Sequence, residues 1–235
     1  FEEKNTYPID YLLTTKQQDS IETWMQQNHN TINYTPRFVS SCEIIFTNGT
    51  TGITGSIVGI LNGILPEKDA KVFNLPIDVS EGTWVENSQN GNSESPEGTV
   101  LGSALAHDLG IQIGDWITVQ TKGRGGFEQT MDVPVIGIIT STDPIINSNN
   151  LYMNYNFVND MLELEGAITE YDFQLGTLGQ IPKRYEAFKT TFQNSSLPTQ
   201  TIELYNWREI AAEILTLTAS KQSASGIMVF FMFVI

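Results

Sequence analysis

The residue types that most often carry chemistry are scarce in this chain. It has two histidines, His29 and His107, and one cysteine, Cys42. Neither histidine has a second ligand at a metal-binding spacing such as H-x-x-x-H. A single cysteine excludes an internal disulfide and a multi-cysteine metal site. We therefore predict no metal site, and we expect Cys42 to be a small apolar residue of the core.

The pair His107–Asp108 could form half of a hydrolytic triad. However, the chain has no G-x-S-x-G nucleophile motif, and adjacent residues on a helix point to different faces. A hydrolase would need a serine and a carboxylate close to His107 in space, so it is the third alternative. We predict no catalytic residues and no enzymatic activity.

Two polar segments could bind a ligand, but each lacks an essential residue type. Residues 49–55 are rich in glycine and threonine, yet they lack the lysine of a phosphate-binding loop. Residues 143–150 offer several oxygen ligands, but Asp143 is their one carboxylate, whereas calcium loops need several. We predict a turn at residues 49–55, a loop and helix start at residues 143–150, and no cofactor.

Composition and charge narrow the class of protein. The 235 residues are 40% hydrophobic and 17% charged, which is typical of a globular protein with one large domain or two smaller ones. The 27 acidic and 12 basic residues give a net charge of −15. Because this charge repels phosphate backbones, nucleic acid is excluded as a partner.

Caps and apolar periodicity predict several helices. Thr14 and Gln17 have the spacing of a capping box, which predicts a helix over about residues 15–28. Asn154 begins a second helix, which we expect to end at Gly166. A third begins near Pro182 and has Tyr185, Phe188 and Phe192 on one face.

β-Branched and aromatic residues predict strands between these helices. The strands are expected at about residues 38–46, 53–61, 115–121, 127–140, 169–175 and 201–204. The first two should pair across the turn that follows Asn48, and Gly123–Gly126 should form a hairpin turn. The polar residues 81–98 predict a long surface loop.

The last nine residues, 227–235, form an uncharged apolar run. Nine residues are fewer than the roughly 20 that span a bilayer, but no turn or charge interrupts the run. We expect it to be the first part of a transmembrane helix, because a helical pattern leads directly into it. The alternative is a buried strand.

Residues 98–119 contain a sequence of ordered structural signals. A short strand leads into a helix with an apolar face and a glycine cap, and a glycine–aspartate turn precedes the next strand. The residues concerned are Gly102, Leu105, Ala106, Leu109, Gly110, Gly114 and Asp115. This string resembles the MacB-like periplasmic core of bacterial ABC-transporter permeases. In that family these are structural positions rather than catalytic ones.

Three further segments resemble the same family. Residues 133–139 are similar to its V-x-GI strand, and residues 150–153 precede the expected helix as they do there. Asn206 and Glu209 form a capping box whose helix leads towards the apolar run. This last feature is similar to the lipoprotein-releasing permeases, where such a helix precedes the second membrane span.

The resemblance implies an α+β fold with one part inserted into another. Residues 1–65 and 166–222 would form a split, porter-like α/β subdomain that includes a connecting helix. Residues 66–165 would form an inserted, mostly β, sabre-like subdomain. Residues 223–235 would begin a transmembrane helix, so that the domain lies on the periplasmic or extracellular side of the cell membrane.

The resemblance also implies partners. These are a cytoplasmic ABC ATPase subunit or domain, a second permease copy in a homo- or heterodimer, and a periplasmic or extracellular cargo acceptor. Trp84 and Phe127 are the aromatics that we predict as contacts with a partner or cargo, unless they fold back onto the core. The alternative function is a secreted or surface-bound binding module without catalytic activity.

Overall fold

The computed structural model describes residues 11–49, 52–86, 98–177, 179–198 and 202–206. The chain forms two compact units, Phe1–Gln174 and Leu175–Ile235. The strands are β1 (Asn33–Thr47), β2 (Thr54–Ile64), β3 (Val79–Gly82), β4 (Thr99–Gly102), β5 (Trp116–Lys122), β6 (Glu128–Ile139), β7 (Asn150–Asn154) and β8 (Glu170–Gln174). The helices are α1 (Thr15–Asn28), α2 (Pro66–Phe73), α3 (Ser103–Leu109), α4 (Pro144–Asn149), α5 (Tyr155–Met161) and α6 (Ile181–Gln193).

Helix α1 begins at the predicted capping box. The Thr14 hydroxyl accepts a hydrogen bond from the Gln17 amide at 3.4 Å. In return, the Gln17 side-chain oxygen accepts one from the Thr14 amide at 2.9 Å. Two amides that the first helical turn would leave unpaired are thus satisfied. The helix runs over residues 15–28 as predicted.

Six strands of the first unit close into a barrel. β1 pairs with β2, β2 with β7, β7 with β4, β4 with β6, β6 with β5, and β5 again with β1. The β2–β7 and β4–β6 pairs are parallel, and the other four are antiparallel. β3 lies beside β6, and β8 lies beside the first residues of β1.

Alternating residues of these strands fill the barrel, because successive side chains of a strand point to opposite faces. The interior cluster includes Phe38, Cys42, Ile44, Phe46, Leu61, Leu101, Ile117, Val119, Met131, Val133, Val135, Leu151 and Met153. Leu105 of α3 and Val158 of α5 belong to the same cluster. The two helices therefore complete the core that the strands enclose.

A second apolar cluster lies on the outer face of the barrel. Its strand residues are Ile64, Val100, Ile139 and Tyr152, whose side chains alternate with those of the interior. Leu75 and Val85, from the connection that surrounds β3, cover them. A mixed α and β architecture is therefore confirmed, with buried apolar groups on both sides of part of the sheet.

The strands run across the boundaries that the sequence predicts. β1 and β2, from the segment 1–65, pair with β5 and β7, from the segment 66–165. One closed sheet thus includes residues of both segments. The division into a split porter-like part and an inserted sabre-like part stays a prediction.

Helix α5 is capped by Asn154 as predicted, but the expected end at Gly166 is wrong. The Asn154 side chain accepts a hydrogen bond from the Asn156 amide, and the helix ends at Met161. Leu162 and Leu164 then turn into the core, where both are fully buried. After Met161, buried and exposed residues alternate along the chain, and the helical spacing of buried residues ends.

In the second unit, α6 follows the predicted pattern, with Tyr185, Phe188 and Phe192 buried. The predicted strand at 201–204 is wrong over its described residues, because 202–206 have no strand structure. The helix predicted from Asn206 onwards and the apolar run 227–235 lie outside the described residues, as do residues 87–97 of the predicted loop. The first residues of that loop instead end β3.

No helix among the residues described above combines the length and the apolar composition needed to cross a bilayer.

Candidate functional site

The connection from β4 to α3 explains the glycine at position 102. All four residues of β4 are buried. A methyl group added at Gly102 would lie 2.3 Å from the carbonyl oxygen of Ile146 and 2.4 Å from that of Asn147. The backbone of α4 therefore packs directly against this residue, and a larger side chain has no space.

Helix α3 is fixed by its apolar face and by its glycine cap. Leu105 and Ala106 are buried in the barrel core, and Leu109 packs against it. Gly110 has a φ of 68°, the left-handed conformation that the sequence predicts, and its amide donates to the carbonyl of Ala106. These residues anchor a short helix that has little stability of its own.

The turn into β5 is closed by Gly114 and Asp115. Gly114 has a φ of 92°, and its amide donates to the Val135 carbonyl at 2.8 Å. The Asp115 carboxylate accepts from the Gln112 amide at 2.8 Å. Its carbonyl accepts from the Val135 amide at 2.8 Å. Asp115 thus holds a turn and fastens it to β6.

No reactive arrangement accompanies this motif. His107 and Asp108 lie on the exposed side of α3, with 3.4 Å between Nδ1 and the carboxylate. Their side chains are 89% and 64% exposed, so neither is in a cavity. Within the described ranges, no group of three or more His, Cys, Asp and Glu residues has an arrangement that could hold a metal ion.

Phe127 lies at the tip of the β5–β6 hairpin, and its side chain is 76% exposed. The Gly123 amide donates to the Phe127 carbonyl at 2.9 Å and closes the tip. The tip is also tied to the loop after α5. The Arg124 amide donates to the Leu162 carbonyl at 3.2 Å, and the Arg124 guanidinium pairs with Glu165. Phe127 is therefore an exposed aromatic residue on a hairpin tip that is held in place by hydrogen bonds and an ion pair.

Trp84 is placed differently. Its ring is half-buried against Tyr152, with 5.2 Å between ring centroids. The preceding Thr83 donates its amide to the Ile136 carbonyl near the other end of β6. Nine residues of strand separate Phe127 from Ile136, which corresponds to about 30 Å. The two predicted contact residues therefore do not share one surface.

The sequence analysis missed a buried ion pair on the outer face of the barrel. Arg37 of β1 is 7% exposed and Asp69 of α2 is fully buried. The guanidinium donates from Nε to Oδ1 at 2.6 Å and from Nη2 to Oδ2 at 2.9 Å. It also stacks over the Phe73 ring at 3.7 Å. An arginine within a β-rich run could have indicated a buried charge in the sequence. Its partner could not be identified, because Asp69 lies 32 residues away.

Comparison with known proteins finds a likeness among solved structures. No family model and no curated protein matches the chain. Among solved structures, it is similar to the periplasmic region of MacB from Actinobacillus actinomycetemcomitans. The sequence identity is 16%, the match covers 72% of each chain, and the TM-score is 0.43.

Proposed function

We propose that this chain is the extracytoplasmic domain of an ABC-transporter permease of the MacB-like type. The observation that carries the proposal is the ordered motif of residues 98–119. Each of its glycines has a structural reason in the fold: close approach of other atoms at Gly98 and Gly102, and left-handed turns at Gly110 and Gly114. The motif thus specifies a particular strand–helix–turn–strand unit, which fits a shared architecture better than chance composition does.

The proposed role is mechanical rather than catalytic. ATP binding in a cytoplasmic ABC ATPase subunit or domain would move the membrane helices, and the domain would transmit this motion to cargo. A closed barrel suits this task, because all six strands are paired on both sides and the interior is filled. The cargo class is lipoproteins or compounds exported by MacB-like efflux.

Two permease copies would face each other in this mechanism, as a homodimer or as related subunits. Phe127 is the contact residue that we propose for a second copy or for a cargo acceptor, because an exposed aromatic on a fixed hairpin can enter a partner pocket. Trp84 is the weaker candidate, since its ring already packs on Tyr152.

A surface-bound binding module without transport activity is the second candidate. The exposed Phe127 at an anchored tip favours it equally, since many binding modules present aromatics on rigid loops. The two candidates differ in what they associate with. A permease domain is part of an integral membrane protein with an ATPase partner, whereas a binding module needs neither.

Cysteine labelling of the full-length protein in its source cells tests the proposal. Cys42 is buried and burial raises its pKa to about 12, so the native chain should not react with maleimide. Gln26→Cys places a thiol on the exposed side of α1. A small membrane-impermeant maleimide should label this variant in intact cells as fully as after lysis.

Fractionation of the same cells separates the candidates. For a permease, the labelled protein should remain in the membrane after a carbonate wash and should copurify with an ABC ATPase. Labelling only after lysis would overturn both candidates. Labelled protein that the wash removes, with no ATPase, would support the binding module instead.

A further inference from the structure

The buried pair Arg37–Asp69 belongs to a larger group of charges where β1, β8 and α2 meet. Glu170 of β8 lies directly opposite Arg37 in the strand register. Asp172, two residues further along, has its Oδ2 atom 3.7 Å from Nε of Arg37. We call Arg37, Asp69, Glu170 and Asp172 the Arg37 cluster. Since i and i+2 of a strand share a face, both carboxylates of β8 face the same arginine.

The charges of the Arg37 cluster do not balance. One guanidinium faces three carboxylates, and Asp69 accepts hydrogen bonds from two of its nitrogens. Asp172 lies at ion-pair distance from Arg37 but accepts no hydrogen bond from it. Its Oδ2 is buried and finds no hydrogen-bond partner among the described residues. A buried carboxylate oxygen in this position is costly when it is ionised.

The surrounding groups do not supply the missing charge. Lys68 of α2 pairs with Glu22 of α1 at 3.6 Å. Lys71 contributes its carbonyl oxygen to Asn33 of β1. Tyr152 of β7 is neutral, because burial raises its pKa to about 12. Arg37 is therefore the cation that the described residues place beside Asp172.

Burial raises the pKa of Asp172 from its ordinary 3.8 to about 6, although Arg37 acts in the opposite direction. The pKa of Glu170 is also raised, by burial and then by the charge of Asp172. The Glu170 side chain reaches the surface, so solvent weakens this effect. Asp172 is therefore the group whose ionisation matters most.

The attachment of β8 to the barrel is slight. β8 pairs with β1 over five residues, Glu170 to Gln174, and with no other strand of the described chain. Three side-chain hydrogen bonds add to this pairing, from Tyr171 to Glu22, from Gln174 to the Val72 carbonyl and from Asn33 to the Gln174 side chain. A short flanking strand of this kind opens at a lower free energy than the barrel itself.

We propose that the Arg37 cluster is an acid-sensitive latch that fastens β8 to the barrel. Protonation of Asp172 removes the excess negative charge and lets its carboxyl group donate a hydrogen bond, so β8 is held firmly. Ionisation restores the excess negative charge of the cluster and loosens the strand. In sequence, β8 directly precedes the second unit, so the latch acts on the segment that connects the two units. The inference does not depend on the proposed transport function.

The direction of the effect follows from linkage. A carboxyl group whose pKa is raised in the folded state binds a proton on folding. Its contribution to stability is fully present below its ordinary value of 3.8, and it is lost as the pH rises through about 6. β8 should therefore be more strongly attached in mild acid than at neutral pH.

Hydrogen exchange of the full chain at pH 5 and pH 7.5, corrected for the intrinsic rate, tests the latch. Protection factors of the β8 amides should be up to about tenfold higher at pH 5, which is the largest ratio that a pKa raised from 3.8 to about 6 gives between these two pH values. In Asp172→Asn, residue 172 is uncharged at both pH values, so the β8 amides of this variant should be well protected from exchange at both. Glu81→Gln, at an exposed carboxylate of β3, should keep the wild-type pH dependence.

Amides of β4 and β6 in the same samples report whether each variant is folded. Equal β8 protection at the two pH values in the wild-type chain would overturn the latch. Wild-type pH dependence in Asp172→Asn would overturn the role of Asp172. Loss of the dependence in Glu170→Gln, with retention in Asp172→Asn, would assign the switch to Glu170 and also contradict the proposal.

Discussion

At the scale of single residues, two backbone positions constrain their side chains in opposite ways. Gly102 has ordinary backbone angles but no room for a side chain. Glu163 has room at the surface but a φ of 54°, which disfavours any residue other than glycine, asparagine or aspartate. The first position stabilises the fold through close packing. The second stores strain in the loop that anchors the Phe127 hairpin.

Gly102→Ala should destabilise the protein by about 2–3 kcal/mol, because the added methyl group overlaps two carbonyl oxygens of α4. Gly49→Ala is the matched control, since no described residue other than its chain neighbours lies within 4 Å of its added methyl group, and it should be nearly neutral. Urea unfolding followed by circular dichroism measures both. Equal effects of the two substitutions would contradict close packing at Gly102.

Glu163→Gly should stabilise the protein by about 0.5–1 kcal/mol. Relief of the left-handed conformation gains roughly 1–2 kcal/mol, and the added freedom of the unfolded chain takes back part of it. Glu81→Gly, in the exposed strand β3, should instead destabilise by about 0.5–1 kcal/mol. Thermal unfolding of the two variants should shift in opposite directions. A lower unfolding temperature for Glu163→Gly would show that its conformation is not strained.

At the scale of elements, α2 contacts the barrel mainly through β1, over which it lies. The bidentate pair Arg37–Asp69 links the two elements, and the guanidinium lies on Phe73 at the end of the helix. Both partners are buried, so removal of one leaves the other without compensation. The pair therefore fixes the orientation of α2 more than it adds to overall stability.

Arg37→Met should cost about 3–5 kcal/mol at pH 7, because it leaves three carboxylates without a cation. At pH 5 the cost should be smaller, since Asp172 with its raised pKa is then largely protonated. Arg124→Met is the control, because its ion pair with Glu165 is exposed and contributes less than about 1 kcal/mol. Chemical unfolding at both pH values measures these costs, and a pH-independent loss in Arg37→Met would speak against the charge argument.

Local sequence signals predicted the helices and strands well, but they predicted poorly how these elements assemble. The Thr14–Gln17 box and the Gly110 cap depend on residues within one turn of each other, so the sequence contains them completely. Barrel closure depends on β2 pairing with β7 some 90 residues later, and no local pattern encodes that. Separation in sequence also hid the Arg37 cluster, because Asp69 lies 32 residues from Arg37 and the β8 carboxylates lie still further along the chain. The end of α5 was missed because two buried leucines, not Gly166, decide where the helix stops.

At the scale of the whole molecule, closure of the barrel makes its strands depend on one another. β1 pairs with both β2 and β5, so neither hairpin can leave without opening the ring. The interior cluster also draws residues from all six strands. We therefore expect the barrel to unfold in one cooperative step, while β8, which lies outside the ring, can open separately.

Cys42 offers a direct measurement of this cooperativity, because it lies in the barrel interior and is 4% exposed. Its thiol should react with a maleimide only in molecules whose barrel is open, since burial also raises its pKa to about 12. Across a urea titration, the fraction labelled in a short pulse should follow the loss of circular dichroism. Gln26→Cys, on the exposed side of α1, should add a thiol that reacts at every urea concentration. Labelling of Cys42 well below the main transition would mean that the ring opens strand by strand, and this would contradict the expected single cooperative step.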